Sequence, residues 1–241
     1  MTSKKQSLEI LPVKKPTNKT KFNIPLPLLE PPFTYVFVAP TKSGKSVMVV
    51  NLLKNINMGY KDIFDQIYYI SPTVMFDDTL NKAVADDDEI IKIHEEEDLE
   101  NVDFILDDIV KQQTEAMIKD KKTAPQILVV LDDMLSYFKN NSRLDKLPAL
   151  SRHYNISFIV TTQVFSGGLP TKLRKNASAY MVFQIYNNKD LKVFEEEIGS
   201  NFGTDFMENY HKATKDRYNF LYVNNREMEL YHNFTELLWK K

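Results

Sequence analysis

Lys45 and Ser46 are the residues of this chain whose surroundings most clearly prepare them for chemistry. They close the segment Ala39–Ser46, APTKSGKS, which fits the A/G-x-x-x-x-G-K-S/T pattern of a phosphate-binding loop. In such a loop, successive backbone N–H groups and the N-terminus of the following helix wrap anionic phosphates. Pro40, Thr41, Lys42, Ser43 and Gly44 form the loop, and all but Pro40, which has no N–H, can supply donors to that wrap. Lys45 reaches the β- and γ-phosphates, and the Ser46 hydroxyl ligates Mg²⁺. The flanks agree with this reading: apolar YVFV precedes the loop and the helical pattern VMVVNLLKNI follows it. A chance G-K-S in a surface loop would leave the apolar strand unexplained.

Further groups extend the site. Ile127–Asp133, ILVVLDD, is an apolar run that ends in paired carboxylates. At a strand end facing phosphates, the first carboxylate holds Mg²⁺ and the second takes a proton from water, so Asp132 is assigned to the metal and Asp133 to the base. Thr161-Thr162-Gln163 ends the next apolar run, and Gln163 can hydrogen-bond both a γ-phosphate and the lytic water. The arginines are Arg143, Arg152, Arg174, Arg217 and Arg226, all after the Asp pair. Arg152 and Arg174 flank the Gln163 strand, where either could face a neighbouring subunit as an arginine finger or form an ordinary surface salt bridge. The histidines lack metal-site spacing, and His153 and His232 read as packing residues.

The elements that position these groups alternate between strand and helix. QIYYI, ILVVL, ISFIVTT and AYMVFQIY read as strands, with helices over 103–121, 147–154, about 189–198 and about 205–215. NFLYVN and MELYHNF read as a C-terminal hairpin. The expectation is an α/β fold with a mostly parallel, layered sheet. Residues 1–30 read as a basic, proline-containing N-terminal arm, with Lys4, Lys5, Lys14, Lys15, Lys19 and Lys21 against Glu9; the core begins near Phe33. The arm suits contact with an anionic partner or simple solubilisation. The acidic stretch Asp77–Asp108 reads as a solvated face. GGLPTK, Gly167–Lys172, is either a mobile DNA-facing loop or an ordinary turn.

Composition narrows the classes. The chain has 241 residues, a net charge of −2 and no cysteine, which excludes disulfides, zinc fingers, thiol catalysis and a globally basic nucleic-acid coat. No run approaches the roughly 18 apolar residues of a membrane span, so a soluble protein is expected.

The combination of motifs resembles the FtsK–HerA superfamily of DNA-pumping ATPases. The carrying residues are NISFIVTTQ…GGLPTKLRKNASAYMVFQIYNNKDLKVFEEEIGS, with a T-Q strand end followed by a loop, a strand and a helix. The proline-rich entry, LDDM and SRHYNIS look similar to the poxvirus-type genome-packaging ATPases of large DNA viruses and virophages. The resemblance implies a three-layer RecA-like P-loop NTPase domain over residues 31–241, with a C-terminal extension from about 200. It implies ATP and Mg²⁺ as cofactors, a homo-oligomeric ring around double-stranded DNA, and capsid or portal-vertex partners. The site residues carry over as phosphate binding by Thr41–Ser46, metal and water by Asp132 and Asp133, coupling by Gln163, and a finger at Arg152 or Arg174. The place would be the host-cell cytoplasm, a viral factory or the virion. One departure is Asp133 where many relatives have Glu.

Other classes fit less well. A GTPase needs N-K-x-D, and Asn188-Lys189-Asp190 lacks the spacer. A kinase wants an arginine-rich lid where this chain is acidic. A cellular-type pumping ATPase and a nucleotide-dependent capsid scaffold stay as alternatives.

Overall fold

The computed structural model describes residues 22–74, 90–134, 137 and 144–241. The basic residues Lys4–Lys21, the acidic run Asp86–Glu89 and Arg143 lie outside them. The strands are β1 (Thr34–Val38), β2 (Gln66–Ile70), β3 (Ile91–His94), β4 (Ile127–Leu131), β5 (Ile156–Thr162), β6 (Ala179–Val182), β7 (Leu221–Asn224), β8 (Glu229–His232) and β9 (Glu236–Lys240). They form a nine-stranded sheet in the order β3-β2-β4-β5-β1-β6-β7-β8-β9. Pairs from β3 to β6 are parallel and those from β6 to β9 antiparallel.

The apolar runs become central strands because each is covered on both faces, as continuous hydrophobic strands in parallel sheets require. In β4, Ile127, Val129 and Leu131 join one core, while Leu128 and Val130 join the other. The first core is roofed by α2 (Val102–Lys119), α3 (Leu147–Tyr154), α4 (Thr171–Asn176), α5 (Asn188–Glu197) and α6 (Phe206–Ala213), through residues such as Leu106, Leu147, Leu173, Phe194 and Tyr210. The second is closed by α1 (Lys45–Lys54), through Val49 and Leu52, with Leu28, Leu29, Tyr60 and Phe64. The result is three layers, and the α/β expectation stands.

Several segments differ from the expectation. The C-terminal hairpin is a three-stranded meander. Its added strand β9, ELLWK, is only half-buried, which erases the alternation that marks a strand. Trp239 nevertheless packs edge-on against Phe202, ring centroids 5.4 Å apart. The acidic stretch contains β3, whose Ile91 is buried against β2. The proline-rich lead-in is part of the core: Leu28 and Leu29 are buried, and Tyr60 Oη donates to the Leu29 carbonyl at 2.6 Å. Tyr222 Oη reaches the Pro27 carbonyl at 3.1 Å. A domain boundary near residue 31 would divide this packing, so the folded body begins before Leu28. His153 is exposed on α3 rather than packed. Among the described residues no helix is long and apolar enough to cross a membrane.

Candidate active site

Parallel pairing brings the chemistry together. Val38 pairs with Thr162 and Leu131 with Val160, so β1, β4 and β5 end at one edge of the sheet. Ala39–Ser46 leaves β1 there, Asp132-Asp133 leaves β4, and Gln163 leaves β5. These groups line a single cleft of about 530 Å³, a size suited to a small ligand. The loop turns through Lys42 and Gly44, both with positive φ. Gly44 is required: at φ +94° a side chain is strained, and a Cβ would sit 3.2 Å from Tyr218 Cδ1. Helix α1 has no side-chain cap and no acidic residue in its first turn, which leaves its N–H groups and positive dipole end to an anion.

Lys45 lies across both carboxylates, its Nζ 3.1 Å from Asp132 Oδ1 and 2.6 Å from Asp133 Oδ2. Asp132 is clamped further, with Oδ1 accepting from the Thr161 hydroxyl and Oδ2 from Tyr69 Oη at 3.0 Å. Thr161 Oγ1 also accepts the Asp133 N–H at 3.2 Å. That bond holds Asp133 at φ +53°, a left-handed conformation that Asp tolerates and that aims its carboxylate into the cleft. Asp133 Oδ1 is buried with no hydrogen-bond partner, as is Ser43 Oγ. Unmet buried acceptors are costly, so this oxygen is held ready for something that enters the cleft. The Thr41 hydroxyl donates to Gln163 Oε1 at 3.1 Å, joining the phosphate loop to the end of β5.

A triphosphate entering here competes with the carboxylates for Lys45. Once Lys45 turns to the phosphates, two adjacent carboxylates face more negative charge, and only another cation can relieve that. The Ser46 hydroxyl and the Asp132 carboxylate are hard oxygen donors of the kind Mg²⁺ takes together with phosphates and water, and the orphaned Asp133 oxygen suits a bound water. The donor set fits the metal. Among the described residues no cluster of three or more His, Cys, Asp or Glu could hold one unaided.

The two arginines fare differently. Arg174 is buried, with Nε and Nη2 each 2.8 Å from Glu197 and Nη1 on the Leu169 and Ser166 carbonyls at 2.6 and 3.0 Å. Hydrogen bonding to Glu197 pushes its pKa up. A finger must be free to cross to a neighbour, and this guanidinium is committed within its own subunit, so the reading of Arg174 as a finger is corrected. Arg152 is exposed on α3, at the opposite edge of the sheet from its own cleft. The Gly167–Lys172 segment is no free loop. Asp190 accepts the Phe165 and Ser166 N–H groups at 2.7 and 2.6 Å, Leu169 is buried, and neither glycine has positive φ. Asp190 thus serves a loop and reads no base.

Tyr69, Thr73, Arg217 and Tyr218 also belong to the site or its walls. Arg217 lines the cleft and stacks over Tyr218, 4.7 Å from the ring centroid. Nothing local in QIYYI marks Tyr69 as a partner of Asp132, 63 residues away. The positive φ of Tyr218 (+72°), uncommon for a bulky residue, becomes visible only in the fold.

The profile of a family described as Poxvirus A32 protein matches residues 20–198. No curated protein matches the chain by sequence. The fold is similar to the DNA-packaging ATPase B204 from Sulfolobus turreted icosahedral virus, at 15% identity and TM-score 0.59 over 84% of this chain and 97% of that one. It is also similar to the genome packaging NTPase B204 of Sulfolobus turreted icosahedral virus 2 in complex with ATP-gammaS, at 16% identity and TM-score 0.54 over 84% and 96%. The pCW3 conjugation coupling protein TcpA with ATPgS aligns at 14% identity and TM-score 0.55 over 85% of this chain and 60% of its own. These identities speak for the fold alone, whereas the family match spans most of the chain and both carboxylates, Gln163 and the phosphate loop. The chain belongs to the poxvirus A32 protein family.

Proposed function

We propose that this protein is an ATP-hydrolysing motor that packages viral double-stranded DNA into a preformed capsid, working as a homo-oligomeric ring. The observation that carries the reading is Lys45 bridging Asp132 and Asp133, with Gln163 tied to Thr41 in the same cleft. Membership in the A32 family and the likeness to viral packaging ATPases support its direction. Capsid or portal-vertex proteins are the partners that task requires.

ATP binds with its phosphates on Pro40–Ser46 and the first turn of α1, and Lys45 moves from the carboxylates to the β- and γ-phosphates. Ser46 and Asp132 would hold Mg²⁺, which would supply charge neutralisation at the phosphates. Asp133, freed of Lys45, takes a proton from the attacking water. Thr161 and Tyr69 keep Asp132 from rotating. Gln163 bonds the water or the γ-phosphate and relays its loss through Thr41 and β5. Arg152 of a neighbouring subunit is the proposed finger, since Arg174 is engaged internally.

The test is ATP turnover by the assembled protein with and without double-stranded DNA. Stimulation by DNA, lost in Lys45→Ala, supports the motor. An assembled ring with DNA-independent turnover would sink it, and nucleotide binding without turnover would favour the non-catalytic capsid-scaffold alternative.

A further inference from the structure

An apolar groove of about 430 Å³ adjoins the nucleotide cleft, walled by Leu26, Leu28, Met48, Met58, Phe220 and Phe234. Among the described residues no charged side chain lines it. The lead-in before β1, helix α1, the turn after α1, the entry to β7 and the β8–β9 turn each supply part of the wall. Hydrogen bonds fix those parts. Tyr222 Oη and Asn224 Nδ2 donate to the Pro27 carbonyl at 3.1 and 3.4 Å, and the Phe220 N–H donates to Asn233 Oδ1 at 3.1 Å. Pro25 lies so close over Gly59 that a Cβ there would sit 2.4 Å from Pro25 Cδ. Phe234 packs edge-on against Phe220, ring centroids 5.0 Å apart.

One wall of the groove is bare. Leu26 is 88% exposed, although Pro27, Leu28 and Leu29 directly after it are buried. A leucine held in water by an anchored backbone, at the rim of an apolar groove, belongs to a surface that something covers. The chain itself carries a segment of matching chemistry. Residues 1–21 precede the described part, which starts at Phe22, three residues before the groove wall at Pro25. Within them Leu8–Val13 reads LEILPV, an apolar block broken only by Glu9 and set between Lys4-Lys5 and Lys14-Lys15. Val13 precedes Pro25 by twelve residues, a reach of at most about 40 Å. A tether this short offers its end at roughly millimolar effective concentration.

We propose that Leu8–Val13 docks in this groove of its own subunit, covering Leu26 and Phe234 while the flanking lysine pairs stay in water. Its effect reaches the nucleotide through Tyr218. That side chain lines both the groove and the cleft, and it lies against Gly44 of the phosphate loop. Its backbone is held at φ +72°, a costly conformation for a bulky residue. A segment filling the groove backs the ring from the side away from the phosphates. Docking therefore keeps Tyr218 seated on the loop and slows nucleotide release. The proposal concerns one subunit and stands apart from the motor reading.

The chain has no cysteine, so an introduced pair reports contact without interference. The full chain carrying Leu11→Cys and Leu26→Cys is oxidised at low protein concentration, beside a control carrying Thr17→Cys and Leu26→Cys. Thr17 is nearer to Leu26 along the chain, so an undocked tether favours the control. Docking instead makes the Leu11 pair close about tenfold faster, because it raises the local concentration at the groove. Adding Ile10→Asp to the Leu11 pair slows closure by about tenfold, the worth of one buried isoleucine. Closure of the Thr17 pair at an equal or higher rate, or closure of the Leu11 pair unaffected by Ile10→Asp, overturns the proposal. Disulfide-linked dimers in place of the internal bridge give the groove to a second copy and overturn it too. In the otherwise wild-type chain, Ile10→Asp speeds release of a fluorescent ATP analogue about fivefold. Unchanged release overturns the link through Tyr218.

Discussion

Thr161 shows how much of this site depends on residues that touch no substrate. Its hydroxyl donates to Asp132 and accepts the Asp133 N–H, so one side chain fixes together the carboxylates proposed as metal ligand and base. Thr161→Val removes both bonds and leaves a buried N–H unpaired, a loss of about 1–3 kcal/mol. The expected outcome is a lower kcat with nucleotide affinity kept, read from steady-state turnover beside analogue binding. Asp133→Asn should reduce kcat by about 10²–10⁴-fold, the usual worth of a general base, while a Lys45→Ala chain should have no measurable turnover. If Asp133→Asn turns over at the wild-type rate, the base lies elsewhere. Gly44→Ala meets both the strain of φ +94° and Tyr218 Cδ1 at 3.2 Å. It should weaken nucleotide binding even though alanine is small.

At the scale of elements, the segment after β5 is braced from two sides. Asp190 of α5 holds the N–H groups of Phe165 and Ser166, and Arg174 of α4 links the Ser166 and Leu169 carbonyls to Glu197. Removing the guanidinium leaves two carbonyls and a partly buried carboxylate without their donor, a loss of about 1–3 kcal/mol. Arg174→Ala should therefore lower the urea midpoint markedly, and its lost turnover should not return on mixing with Lys45→Ala subunits. Recovery there would restore Arg174 as a finger. The β8–β9 edge is tied by Glu229 to Lys240 at 2.8 Å, and that hydrogen bond holds the Glu229 pKa below the ordinary carboxylate value. A depressed folded pKa contributes stability above the unfolded value, and that stability is lost as pH falls through the folded one. The urea midpoint of wild-type protein should drop below about pH 4.5. Glu229→Gln should remove that part of the acid dependence, and an identical acid profile for the two proteins would count against it.

For the molecule as a whole, the two edges of one parallel sheet have opposite characters. One presents an uncapped helix N-terminus, a lysine and two carboxylates around a cleft for phosphate; the other presents Arg152, Lys175 and Arg226. If Arg152 is the finger, Arg152→Ala should be inactive alone and regain partial turnover with Lys45→Ala subunits, because wild-type interfaces re-form. Failure of that recovery would remove Arg152 from the trans role. Turnover by the assembled protein should also rise with double-stranded DNA and lose that stimulation at high salt, since backbone contacts release counterions.

The phosphate loop, the carboxylate pair and Gln163 were legible in the sequence because each sits where an apolar strand stops, and that local pattern needs no knowledge of the fold. The central strands were equally plain, since burial on both faces leaves unbroken hydrophobic runs. Strands β3 and β9 were hidden because edge strands are polar where they meet water, and the packed lead-in was hidden because prolines report conformation without reporting burial. Only the tertiary structure decided between the arginines. Arg152 and Arg174 look alike along the chain, but a guanidinium's role depends on the charge nearest to it in space. Glu197, 23 residues from Arg174, claims that guanidinium, while Arg152 stays exposed.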